Sequence, residues 1–261
     1  MKKIIALILA AIMCAFCFAG CGEEDKLVCG VTIFEKMNEL DADGNWTGFE
    51  TEFAQAVGEK IGMEVEFKEI DWGQKYLELE SGKIDCVWNG FTANSTDDDG
   101  VARKDKVDFS YGYMLNQQCV VINKANADLI KTEADLAGKT AVVENGSAGD
   151  SYAKSVTDAD KVKGFPAQNK TFLEVKSGKA DFAVVDIILA QNICGKGDYA
   201  DLMIVESIEL SSEIYAVGFK KGSELTEKVN KAIEELFEDG TVEALAKKYG
   251  FENTIKLNKE F

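Results

Sequence analysis

Two stretches of this chain, 96 residues apart, carry one signature: Leu79-Glu80-Ser81-Gly82-Lys83-Ile84-Asp85-Cys86-Val87 and Val175-Lys176-Ser177-Gly178-Lys179-Ala180-Asp181-Phe182-Ala183. Each reads as a helix stopped by glycine, which enters the left-handed backbone at a helix end without steric cost. An apolar run follows each aspartate, the pattern of a strand buried on both faces. The flanks repeat the plan. Ahead of the first copy, Phe49, Phe53, Val57 and Ile61 recur at helical spacing up to Gly62, and Met63, Val65 and Phe67 alternate as a strand. Ahead of the second, Lys139-Thr140-Ala141-Val142-Val143 predicts a strand running through Gly146-Ser147-Ala148-Gly149 into a helix. Such a duplicated unit predicts an α/β protein of two lobes, each built on a mostly parallel sheet. Towards the C-terminus, Leu225, Val229, Ile233, Leu236 and Phe237 mark an amphipathic helix ended by Gly240, and Val242, Leu245, Ala246 and Tyr249 begin another.

The first twenty residues stand apart. Lys2 and Lys3 precede an uncharged apolar run from Ile4 to Ala19, and polar Gly22-Glu23-Glu24-Asp25 follows Cys21. That pattern reads as a secretory signal, its apolar stretch shorter than the ~20 residues that span a bilayer. The small pair Ala19-Gly20 before Cys21 resembles a bacterial lipobox, with Phe18 where leucine is usual. It implies cleavage after residue 20, acylation of Cys21 and a lipid-anchored linker over residues 21–26. Loss of residues 1–20 removes two lysines and no acid, taking the net charge from −17 to −19. A chain so acidic repels nucleic acid and anionic headgroups, and no nucleic-acid partner is expected. Cys29, Cys86, Cys119 and Cys194 remain, in neither CxxC nor zinc-ligand spacing. Buried free thiols are the favoured reading, with a Cys29–Cys86 disulfide open if their strands are neighbours.

In parallel sheets, ligands sit beyond the carboxyl ends of the strands, where loops are free and helix N-termini present unpaired N–H groups. In the first copy that end is Asn89-Gly90-Phe91-Thr92; in the second it is Val185-Asp186. Facing lobes would set a hydroxyl and backbone amides opposite a carboxylate. That suits a zwitterion, with Asp186 taking the ammonium. Asp186 also ends an apolar run, where an unpaired carboxylate is costly, so it is the residue hardest to explain as filler. The absence of histidine removes most acid–base triads and many metal sites. Gly146-Ser147-Ala148-Gly149 lacks the lysine of a phosphate loop. Asp41, Asp43, Asn45 and Glu52 match calcium-loop positions, but Trp46 stands where that loop needs glycine, and a hairpin turn is the better reading. No metal and no cofactor are expected.

These residues also carry a resemblance. Gly48-Phe49-Glu50, Ile70-Asp71-Trp72, Ser81-Gly82-Lys83-Ile84-Asp85 leading to Asn89-Gly90-Phe91-Thr92, and Val107-Asp108-Phe109-Ser110 come first. Asp135-Leu136-Ala137-Gly138-Lys139, Gly146-Ser147, Ser177-Gly178-Lys179-Ala180-Asp181 with Asp186, Asp239-Gly240-Thr241 and Tyr249-Gly250 follow in order. From Leu27 to Gly250 the chain resembles the family 3 extracellular solute-binding proteins of polar amino-acid ABC importers. The resemblance implies a type II periplasmic-binding fold, with residues 27–120 and 215–261 forming lobe 1 and 121–214 lobe 2. It implies hinge strands near Gln118–Lys124 and Ile214–Lys220, and closure around the ligand. It further implies a monomeric, lipid-anchored protein on the extracellular face of the membrane or in the periplasm, handing an amino acid to an ABC importer permease.

In the family's pattern Gly90 and Thr92 take the ligand carboxylate together with an arginine, and Asn89 and Phe91 share their strand-end loop. Ser147 and Ala148 add N–H donors, Asp186 takes the ammonium, and Phe34 and Trp72 sandwich the ligand's apolar parts. One departure stands out. The arginine's usual place, five residues after the threonine, holds Asp97, whereas Arg103 keeps the usual distance to Val107-Asp108-Phe109. A six-residue insertion would restore Arg103 to the site; otherwise Lys104 or backbone amides must hold the anion. Glu144 reads first as a solvated loop residue and second as a partner for a cationic side chain. The alternatives are a carboxylate-dependent dehydratase or lyase on the same fold, and a ligand-sensing lipoprotein.

Overall fold

Strand β1 (Lys26–Val31) opens the part of the chain that the computed structural model describes, residues 26–261. The signal segment, Cys21 and linker residues 21–25 lie outside it. A short hairpin of β2 (Glu39–Leu40) and β3 (Trp46–Thr47) turns on Asp41, whose Oδ1 accepts the N–H groups of Asp43 and Asn45 at 2.9 and 2.8 Å. Helix α1 (Phe49–Ile61) buries Phe49, Phe53 and Val57 and stops at Gly62, φ 73°. Strand β4 (Glu64–Glu69) then returns parallel to β1.

Helix α2 (Lys75–Glu80) leads to β5 (Cys86–Val87), and α3 (Arg103–Lys106) to β6 (Val107–Phe109) and the long β7 (Gly112–Asn123). The second unit runs β8 (Ala141–Glu144), α4 (Ala148–Val156), β9 (Val162–Phe165), α5 (Thr171–Lys176), β10 (Phe182–Asp186), α6 (Ile187–Ile193) and β11 (Leu202–Ile204). Strands β12 (Ser212–Tyr215) and β13 (Gly218–Lys220), helices α7 (Leu225–Glu238) and α8 (Thr241–Tyr249), and β14 (Ile255–Asn258) complete the chain. Among the described residues no helix is long and apolar enough to cross a membrane.

The strands form two sheets, ordered β4-β1-β5-β13-β6 and β11-β7-β10-β8-β9. In the first, β1 is parallel to β4 and β5, while β13 is antiparallel to β5 and β6. In the second, β8 is parallel to β9 and β10, while β7 is antiparallel to β10 and β11. Both sheets are therefore mixed, less parallel than the repeat alone predicts, because the strands that link the lobes enter antiparallel. Strand β7 does the linking. Its first half pairs with β12 and β14, its second half with β10 and β11. The crossing lies where Met114–Gln117 faces Ser212–Tyr215, and the segment from Gln118 onward is already inside the second sheet, Gln118 opposite Asp186.

The repeated signature has a structural explanation. Gly82 and Gly178 sit at φ 69° and 72°, and Lys83 and Lys179 turn back to the carbonyls of Glu78 and Glu174. Asp85 Oδ2 then accepts the N–H of Val28, and Asp181 Oδ2 that of Thr140, each at 2.8 Å. In both lobes the aspartate thus ties the end of the turn to the start of the neighbouring strand. One face of the first sheet packs Ile70, Trp72, Leu79, Ile84, Val87 and Phe91, and one face of the second packs Val120, Ile122, Val143, Phe182 and Val184. Cys29 and Cys86 are register partners on β1 and β5, with Sγ atoms 3.5 Å apart as free thiols.

Candidate ligand-binding cleft

The carboxyl ends of the two sheets meet at a narrow cavity. Trp72, Asn89, Gly90, Thr92 and Arg103 line it from the first lobe; Gln118, Glu144, Ser147, Ala148, Gln168 and Asp186 line it from the second lobe and the crossing strand.

Asp186 follows four buried apolar residues of β10 and enters the same dry setting. Its Oδ1 accepts from Asn116 Nδ2 and Gln118 Nε2, both at 2.6 Å, and its Oδ2 accepts from Gln168 Nε2. Gln168 Oε1 in turn accepts the Asp186 N–H at 2.8 Å. Asn116 and Gln118 alternate on β7, so their side chains share a face, and both amides also reach Glu213 Oε2, at 2.7 and 3.1 Å. Burial raises the Asp186 carboxyl against the pull of these donors. It also pushes Glu213 up to about 7, with the Asp186 charge adding to the effect. Two carboxyls joined by two amides form a pocket wall in need of positive charge.

Opposite stands Arg103, 1 % exposed. Its Nε donates to Asp97 Oδ1 at 2.8 Å, its Nη1 to Thr92 O and its Nη2 to Gly146 O, both at 3.3 Å, and the guanidinium lies over the Phe91 ring. Asp97 is thus the counter-ion of Arg103. The residues from Thr96 to Ala102 fold as a loop closed by a bridge between those two, and Arg103 follows it on the cleft lining. Burial alone would raise the Asp97 carboxyl, but Arg103, Lys106 and Tyr76 hold it down at about 2.

The other expected site residues divide. Thr92, Trp72, Ser147 and Ala148 line the cavity. Ser147 caps α4, its Oγ accepting the Asp150 N–H at 3.0 Å, and the first N–H groups of the helix face the cleft with the positive end of its dipole. Gly90, at φ 58°, directs its N–H to the carboxylate of Glu50, at 2.9 and 3.1 Å. Its contribution to the cleft is closeness, since a Cβ there would stand 3.1 Å from Tyr215 and 3.2 Å from Phe34. Asn89 lines the cavity, but its side chain bonds Thr32 and Asn38 behind it. Phe91 belongs to the core against Trp72 and Phe109, and Phe34 is buried beside Gly90 rather than on the lining.

Glu144 departs from the first expectation for it. It is no solvated loop residue: it ends β8 with 2 % of its surface exposed and lines the cavity. Burial and the Asp186 charge push its carboxyl up to about 8, against the attraction of Lys75. Lys75 is itself buried; its Nζ bonds Gly146 O at 2.9 Å and Trp72 O at 3.4 Å, and burial with the Arg103 charge brings it down to about 7. The sequence reading missed Lys75, Gln118, Gln168, Asn116 and Glu213. Only the polar run Asn116-Gln117-Gln118, set between the apolar residues of β7, gave a signal.

The profile of the bacterial extracellular solute-binding proteins, family 3, matches residues 27–253. The chain belongs to this family. It is 29 % identical over 262 residues to the arginine-binding extracellular protein ArtP of Bacillus subtilis, covering 95 % of this chain and 98 % of that one. It is 33 % identical over 213 residues to the L-cystine-binding protein TcyA of the same organism, covering 80 % of this chain and 75 % of that one. Among solved structures, an ancestral arginine-binding protein bound to glutamine superimposes with a TM-score of 0.79 at 36 % identity, over 87 % of this chain and 98 % of that one. As a family 3 member with the two-lobed type II periplasmic-binding fold, this is a solute-binding protein.

Proposed function

We propose that the protein captures a polar or charged amino acid between its two lobes and delivers it to an ABC importer permease. The ligand carboxylate lies against Arg103, Thr92 and the α4 N-terminus at Ser147 and Ala148, and its ammonium against Asp186. Trp72 packs on its side chain. Cys21 carries the lipid that holds the monomer outside the cytoplasmic membrane. The ligand leaves unchanged, since no chemistry is performed on it. One observation carries this reading: a buried carboxylate, held by three amide side chains, faces a buried arginine across the gap between the lobes. Relatives named for arginine, cystine and histidine support the ligand class.

A thermal-shift screen of the mature chain against the standard amino acids tests it, because a ligand that binds only the folded state raises the melting temperature. At least one amino acid is expected to give a shift. Asp186→Ala should keep the circular dichroism of the parent and lose about 100-fold or more in affinity, as removing one partner of a buried charge pair does. An unaltered shift would remove Asp186 from the site, and silence across the panel would remove the reading.

A further inference from the structure

The zwitterionic part of an amino acid uses Arg103, the α4 amides and Asp186. That leaves one end of the cleft without an assignment. Among buried side-chain atoms with no hydrogen-bond partner, two belong to the cleft lining, Glu144 Oε1 and Trp72 Nε1. Protonated or not, the Glu144 carboxyl leaves Oε1 with nothing to bond, and an unpaired polar atom in a dry wall costs about 1–3 kcal/mol. The neighbouring Lys75 does not satisfy it. Lys75 lends its charge to the neighbourhood, but its Nζ is held by the carbonyls of Gly146 and Trp72 and lies over the Trp72, Tyr76 and Phe91 rings.

From these observations, and resting on the amino-acid reading above, we infer that Glu144 is the specificity residue of the cleft and that its ligand is an amino acid with a cationic, N–H-bearing side chain. Gln168 donates to the Glu144 carboxyl, but Oε1 is left as an acceptor in search of a donor, and the nearby Asp186 adds negative charge. The flat Trp72 ring on the facing lobe offers a surface on which a positive group stacks favourably. A neutral side chain of the same shape can donate an N–H to Oε1 but leaves the negative charge of Glu144 and Asp186 unmatched. An acidic one meets the Glu144 and Asp186 carboxyls together.

Calorimetry of the full mature chain with L-arginine, L-lysine, L-glutamine and uncharged L-citrulline tests this. Wild type should bind arginine or lysine at least about 30-fold more tightly than citrulline, and the near-isosteric Glu144→Gln should narrow that ratio to within about 3-fold with little change for citrulline. The inference falls if wild type holds glutamine or citrulline as tightly as the cations, a result that needs no variant. It falls equally if Glu144→Gln keeps the ratio. If another amino acid binds but these cations do not, only the assignment of Glu144 fails; if no amino acid binds, the reading beneath it fails as well.

Discussion

Glu144 shows in one side chain how a binding site trades stability for function. Burial and the Asp186 charge raise its carboxyl from 4.5 to about 8, with Lys75 opposing and Arg103 beyond. A raised acid pKa means that the native state holds the proton more firmly than the unfolded chain does. The stability from this group is therefore complete below about pH 4.5 and is lost as pH rises through about 8. Glutamine has no proton to lose. At pH 8 ligand-free Glu144→Gln should be more stable than wild type by about 1–3 kcal/mol, with the gap closing towards pH 5. Thermal melts at the two pH values check this, and a gap independent of pH would show that Glu144 is not ionising in the empty cleft.

Turn and strand together explain the duplicated signature. Asp85 and Asp181 lie outside the cleft lining; they accept the N–H of Val28 and Thr140 towards the amino ends of their sheets. Asp181→Ala should cost about 1–2 kcal/mol in urea unfolding while leaving ligand affinity within about twofold, and a larger loss of affinity would contradict the division of roles. Such local elements were legible in the sequence: the glycine stops, the helix of Phe49, Phe53 and Val57, and Asp186 at the end of an apolar run. What the sequence concealed depends on contacts between distant segments. Lys75 reads as a surface helix residue until Gly146 of the other lobe covers it. Gln168 lies in a short turn with no pattern to mark it. Glu144 looked solvated because its burial comes from Gln168 and Asp186 rather than from its own neighbours in the chain. Arg103 was legible only as a question; the structure puts it on the cleft lining with Asp97 as its counter-ion.

The loop from Thr96 to Ala102 does more than precede Arg103. Its tip residue Asp98 reaches across the mouth of the cleft to α4, accepting from Ser151 Oγ at 2.6 Å and pairing with Lys154. This is a half-exposed ion pair between lobes, worth up to about 1 kcal/mol. Asp98→Ala should therefore raise the ligand off-rate by no more than about fivefold, with the difference shrinking at high salt, as stopped-flow release would show. An off-rate unchanged at low salt would mean that the contact does not help to hold the lobes together.

Strand β7 reaches further than this latch. It crosses between the lobes at Met114–Gln117 and, within two residues of that crossing, carries the amides of Asn116 and Gln118 that cradle Asp186. Pivot and grip are one piece of backbone. Gln118, already paired in the second sheet, travels with Asp186 when the lobes swing, whereas Asn116 sits in the crossing itself, so opening loosens one of the donors that hold the carboxylate in place.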